Sequence, residues 1–196
     1  MAVKIKIFTI LTLLSVLSCS AQEKTSLQVF NELVDSSIIN LTAFIPDTVK
    51  FINIEMNPGT SFEIFNSEII SDLNRKGYEL ISDNRAFRIQ YLIKNATVNY
   101  GNIYRDGILG DYYVSRSVLL SGNFNLTGGT TVTHEFKYSS KDTIKVDDVK
   151  NLENPAYPFT QGKLPAEPFF SGILEPVVAV GTAALAVILF FTIRSK

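Results

Sequence analysis

The single histidine of the chain, His134, is followed directly by Glu135. A His-Glu pair opens the H-E-x-x-H pattern, in which two imidazoles four residues apart on a helix hold zinc and the glutamate serves as base. Here position 138 is Tyr, no second His exists, and the pair belongs to the alternating run Val132, His134, Phe136, Tyr138. That period is a strand's, so a packed strand histidine is the plainer reading. The acids Asp142, Asp147, Asp148 and Glu153 lack the alternate ligand positions and central glycine of a calcium loop, and read as a solvated flank. Gly101, Gly107 and Gly110 form neither a dinucleotide fingerprint nor a phosphate loop; they read as a loop needing unusual backbone angles. One cysteine excludes a disulfide framework, a thiolate zinc site and a two-cysteine redox motif. No two carboxylates are marked by spacing as a hydrolytic pair. The expectation is therefore a protein that is not an enzyme, with no catalytic residue, no metal and no cofactor.

Two groups of residues carry chemistry of another kind. Tyr104, Arg105, Tyr112 and Tyr113 flank the glycines of the Gly101–Tyr112 loop. Tyr and Arg bury large contact areas at modest entropic cost, which makes these four candidate partner contacts. Cys19, in Val16-Leu17-Ser18-Cys19, resembles the lipid-attachment box of bacterial lipoproteins, with Leu17 where a small residue is usual. The competing reading is an A-x-A-like cleavage at Cys19 and Ala21, which leaves Gln22 as the mature start and no cysteine.

Both groups must be positioned by a chain of 196 residues with net charge −1 and 46% hydrophobic residues, enough for one ordinary domain. Near-neutral charge argues against nucleic acid, because neutralising phosphates takes a concentrated Lys/Arg surplus. The mean hydropathy of +0.17 is high for so polar a middle and is explained by the two ends. Residues 1–21 read as a signal peptide, with Lys4 and Lys6 before a short apolar core. Pro176 to Ile193 is uncharged, and at ~1.5 Å per residue it covers roughly 27 Å of a ~30 Å hydrocarbon core. A transmembrane helix over 173–193 is expected, with the tip at 194–196. Arg194 and Lys196 place that tip in the cytoplasm by the positive-inside rule. The portion between the ends carries 18 acidic and 14 basic residues, net −4.

That portion reads as α-β-α-β-β-β-β. Thr25 and Gln28 form a capping box, followed by Leu27, Phe30, Val34, Ile38 and Leu41 at helical spacing. Ile52, Ile54 and Met56 alternate as a strand. Thr60 and Glu63 form a second capping box ahead of Phe62, Phe65, Ile69 and Leu73, and Gly77 ends that helix. Tyr78 to Ile81 is a short strand. Three longer alternating runs follow, the first with Phe87, Ile89, Tyr91 and Ile93 on one face. The second has Val114, Val118, Leu120, Phe124 and Leu126 inward. Thr127-Gly128-Gly129 turns it into the third. The expected fold is α+β: a mixed or antiparallel sheet of about five strands with two helices on one face, over residues 23–140. Residues 141–172, with four prolines among Tyr157, Phe159, Phe169 and Phe170, read as a tether whose aromatics dock on the domain or at the membrane interface.

The segments SEIISDLNRKGYELI, AFRIQYLIKNATVNYG and RSVLLSGNFNLTGGTTVTHEFKYSSKDTI resemble the periplasmic domain of curli-secretion-channel proteins. They are similar also to the related outer-membrane lipoprotein activators of peptidoglycan synthases. The matching points are Gly77 after the helix, the loop glycines, Arg116 opening a strand and the Thr127-Gly128 turn. The resemblance covers about 80 residues and implies a lipoprotein-type fold that binds envelope partners or oligomerises. The apolar helix replaces the amphipathic hairpins of a secretion pore, so no channel function is implied.

These readings converge on a bacterial envelope protein, single-pass in the inner membrane with a periplasmic domain acting as a non-enzymatic binding, scaffold or assembly module. Its partner would be an envelope protein or a second copy. A carboxylate hydrolase of envelope polymers and a small-ligand or lipid carrier are the alternatives.

Overall fold

Thr25 opens the first helix as the capping box predicts. Its hydroxyl accepts from the Gln28 amide at 3.2 Å, while its own amide donates to Gln28 Oε1 at 2.8 Å. The computed structural model describes residues 23–56, 62–83, 86–107, 110–166 and 171–194. The signal-peptide reading, Cys19 and the capping residue Thr60 lie outside these described residues. Helix α1 (Ser26–Thr42) buries Val29, Phe30, Leu33, Val34, Ile38 and Leu41, a stripe at 3.6-residue spacing. Strand β1 (Phe51–Met56) follows. Helix α2 (Phe65–Arg75) begins later than expected: Ile64 holds the N-cap position without a side-chain bond. Phe62 lies in the turn before it and packs on the core. Gly77 stops the helix at φ +90°, a region closed to most side chains.

Strands β2 (Glu79–Leu80), β3 (Phe87–Arg105), β4 (Tyr112–Thr127) and β5 (Thr131–Lys145) complete the α+β fold. The sheet order is β2-β1-β3-β4-β5. β1 runs parallel to β2 and β3, while β3, β4 and β5 form an antiparallel meander. The helices cover one face, as antiparallel sheets allow. Beneath them Ile89, Tyr91, Ile93, Val118, Leu120, Phe124 and Phe136 meet the helix stripes. Each such side chain contributes about 1.5–3 kcal/mol by leaving water.

β3 is nearly three times the length its period suggested. The register slips between Ile93 and Asn95, so Ala96 and Val98 take over the inward face that Ile93 leaves. Gly122 sits opposite this irregularity, where a Cβ would collide with the Leu92 carbonyl and lie 2.7 Å from the Phe136 ring. A second slip between Tyr100 and Ile103 carries the strand to Arg105. Of the loop read as Gly101 to Tyr112, residues 101–105 thus belong to β3 and Tyr112 opens β4.

Of the segment expected as a tether, residues 141–145 finish β5 and residues 146–164 lie against the domain. A 3-10 turn (Val146–Asp148) and a single helical turn, α3 (Val149–Leu152), bury Val149 and Leu152 in a second cluster with Val114 and Ile144. Phe159 reaches the main core, its ring 5.3 Å from those of Phe30 and Phe62 and 5.4 Å from that of Phe65. Glu153 Oε1 accepts from Tyr100 Oη and from the Gly162 amide, both at 2.8 Å. Leu164 packs on the second cluster beside Ile103. Helix α4 (Ser171–Arg194) follows, and its stretch Pro176–Ile193, of mean hydropathy 2.4, is long and apolar enough to cross a membrane.

Candidate functional site

The extension of β3 turns the four Tyr and Arg candidates into two facing pairs at the β3–β4 hairpin tip. Tyr104 stands opposite Tyr113 and Arg105 opposite Tyr112. The Tyr104 and Tyr113 rings stack at 6.0 Å and 25°, and the Arg105 guanidinium lies 4.9 Å from the Tyr112 centroid. Arg105 Nε donates to the Gly110 carbonyl at 2.8 Å, bracing the turn, in which Gly107 takes φ +72°. Beside them Lys145 Nζ meets the Asp111 carboxylate at 2.6 Å, and that bond raises the lysine pKa. Tyr104 remains half exposed. Among the described residues the tip is therefore an aromatic, charge-balanced surface.

The sheet face opposite the helices offers different chemistry. At one register level Glu55, Gln90, Asn125 and Thr133 stand side by side on β1, β3, β4 and β5. Gln90 Nε2 donates to Glu55 Oε2 at 3.0 Å, and Asn125 Nδ2 to Gln90 Oε1 at 3.3 Å. Thr133 Oγ1 donates to Asn125 Oδ1 at 2.8 Å. An open depression of about 240 Å³ lies along this ladder, floored by Leu92 and bounded by Asn123 and Asn125. Nothing in a period of two says that these four polar side chains share one row. That depends on register.

A third group lies between the helices. Asp35 on α1 and Glu68 and Asp72 on α2 bring carboxylate oxygens within 4.8 Å of one another. Asp72 is buried and the Arg75 guanidinium holds it. Asp35 is pushed up to about 6, first by burial, then by its bond to Asp72 and the charges of Asp72 and Glu68, against the pull of Arg75. Three such oxygens have the chemistry of a hard divalent-cation site, with Arg75 already supplying positive charge. Glu68 and Asp72 are legible as an i, i+4 pair; Asp35 joins them only through helix packing.

His134 plays another part than the zinc pattern suggests. It sits on β5 stacked on Phe44 at 3.9 Å and Phe124 at 5.4 Å. Tyr138 is four strand residues away, about 13 Å along the chain. A residue that the sequence offered only as a strand opener proves central: Arg116, fully buried on the inward face of β4. Its guanidinium meets both Asp142 oxygens, at 3.0 and 2.5 Å, and donates to the Lys24 carbonyl at 2.8 Å and Ser26 Oγ at 3.3 Å. Arg116 thus ties the entry of α1 to β4 and β5.

No protein-family model matches the sequence, and no curated protein matches it either. Among solved structures the chain is similar to a minor lipoprotein from Acinetobacter baumannii. The identity is 14%, over 52% of this chain and 70% of that one, with a TM-score of 0.36. A likeness of that degree assigns neither family nor function.

Proposed function

We propose that this chain is a membrane-anchored bacterial envelope protein whose folded domain is a non-enzymatic binding or scaffold module. In this reading α4 spans the inner membrane, the domain stands in the periplasm and Arg194 and Lys196 lie in the cytoplasm. Cys19 is the lipid-attachment residue if the leader is processed as a lipoprotein's. The observation that carries the binding role is the open face of the sheet. Helices cover one side, while the other presents a row of polar side chains already bonded to one another across four strands. Such a row is pre-organised, so little side-chain entropy remains to be lost on contact. Its shallow, broad form suits a macromolecular partner better than an enclosed small ligand.

Site-specific photo-crosslinking in intact cells tests this. A crosslinker at Asn123 is expected to give a discrete adduct that the double variant Gln90→Ala, Asn125→Ala abolishes. One at Glu32, on the helix side, is expected to give none. Equal adducts from both faces, or none from Asn123, would count against the open face.

Hydrolysis of an envelope polymer is a second reading, favoured by one observation: Asp35, raised toward neutrality beside Asp72, has the protonation behaviour of a general acid. Incubation of the purified chain with peptidoglycan tests it. Release of soluble fragments that Asp35→Asn abolishes would support catalysis, and no release would remove it.

A further inference from the structure

We propose that the domain stands end-on against the bilayer, with the β3–β4 hairpin tip seated in the lipid headgroup region of the membrane that α4 enters. This rests on the reading of α4 as a membrane span and adds the orientation of the domain upon it.

Three observations point the same way. The first is where the chain leaves the domain. Leu164 packs on the cluster of Val114 and Ile144, as does Ile103, and the pair Ile103–Val114 is next in register to Tyr104–Tyr113. Ser171 is seven positions after Leu164, and five more reach Pro176, where the apolar stretch begins. At no more than ~3.5 Å per extended residue and ~1.5 Å per helical one, the apolar stretch starts within roughly 32 Å of Leu164. β4 is 16 residues long, so the opposite hairpin at Thr127–Thr131 lies roughly 50 Å from the tip. The tip end is held near the membrane and the other end is not.

The second observation is the entry of the chain. Arg116 holds the Lys24 carbonyl and Ser26 through bonds that no backbone period predicts. Arg116 is three strand residues from Tyr113, about 10 Å. Lys24 in turn is five residues after Cys19. The chain therefore enters and leaves the domain at one end, and if Cys19 carries lipid this favours two anchors in one membrane over a bridge between two.

The third is the chemistry of the tip. Tyrosine rings with exposed polar ends partition to membrane interfaces, where the ring meets acyl chain and the hydroxyl meets headgroup and water. Tyr104, Tyr112 and Tyr113 stand there together. Arg105 and Lys145 are balanced by Asp106 and Asp111, so attraction to anionic lipid does not supply the contact. The opposite turn, Thr127 to Thr131, carries only Thr and Gly.

The chain contains no Trp, so one introduced tryptophan is the sole reporter of its position. Full-length Y104W and, separately, V132W are reconstituted into phosphatidylcholine vesicles with and without lipid brominated near the headgroup end of the acyl chains. Val132 is exposed at the far hairpin. About a twofold loss of Y104W emission is expected, with a blue shift, and no change in V132W. Y112W is the second reporter if Y104W loses its near-ultraviolet dichroism. Flotation of the same vesicles reads anchoring separately: protein that fails to float overturns the membrane span itself. Protein that floats with Y104W and Y112W unquenched, or with V132W quenched equally, overturns the end-on orientation. Quenching that appears only when anionic lipid is added overturns the charge-neutral contact.

Discussion

Removing Asp142 should damage the domain more than removing the arginine it pairs with. Arg116 is fully buried, whereas the Asp142 side chain is 39% exposed. In Asp142→Asn the guanidinium keeps its charge, since arginine does not deprotonate, and it has lost its counter-ion while itself fully buried. Leaving one member of a buried pair uncompensated costs about 3–5 kcal/mol. In Arg116→Met the stranded carboxylate turns to solvent instead, and the loss is chiefly the bonds to Lys24 and Ser26, about 1–3 kcal/mol. The double variant should recover most of the Asp142→Asn loss, because neither charge remains. Urea titration of the full chain in detergent micelles, followed by near-ultraviolet dichroism, reads these differences. With a slope of about 2 kcal/mol/M, Asp142→Asn should lower the midpoint by about 2 M and Arg116→Met by about 1 M. An Arg116→Met variant as unstable as Asp142→Asn, or a double variant worse than either, would refute the reasoning.

Three further outcomes follow from other parts of the fold. Gly122→Ala should destabilise by about 1–3 kcal/mol, because a Cβ there meets the Leu92 carbonyl and the Phe136 ring; thermal unfolding of the micellar chain checks it. Phe159→Ala should cost about 2–3 kcal/mol, less than a fully buried phenylalanine, and expose residues 146–164 to protease while the sheet stays resistant. Asp35 binds its proton more tightly in the folded state, about 6 against 3.8, so its contribution is greatest at low pH and is lost as pH rises through about 6. Asp35→Asn should therefore be more stable than the parent at pH 8 by about 1–2 kcal/mol, after allowing for solvent screening, and equal to it near pH 4. Paired thermal midpoints at the two pH values decide it.

Where local chemistry determines an element, the sequence was sufficient. Thr25 and Gln28 cap α1 through a bond pair three residues apart, and Gly77 ends α2 because the chain must turn left-handed there. The alternation of β4 holds over its whole length, which is why its buried face could be read directly. In β3 the alternation was legible only to Ile93, since a register slip reverses the phase there, although the segment as far as Gly101 was matched as a strand through the resemblance. The docking of residues 146–164 left no period to follow: Val149, Leu152, Phe159 and Leu164 each fill a separate gap. The hairpin-tip residues were picked by type, but their pairing came from a strand extension that the glycines obscured. Arg116 was hidden for the opposite reason. A charged residue at an inward position of a strand reads as an interruption unless its partners, 26 and about 90 residues away, are known.

The return of residues 146–164 also sets how the molecule bears load. A pull transmitted from α4 reaches the domain first at Leu164, then at Gly162 and its single bond to Glu153, then at the Phe159 ring. These contacts follow one another along the chain, whereas β3, β4 and β5 are joined by long ladders. With α4 in a membrane as proposed, detachment of residues 146–164 would add roughly 60 Å of chain between bilayer and sheet.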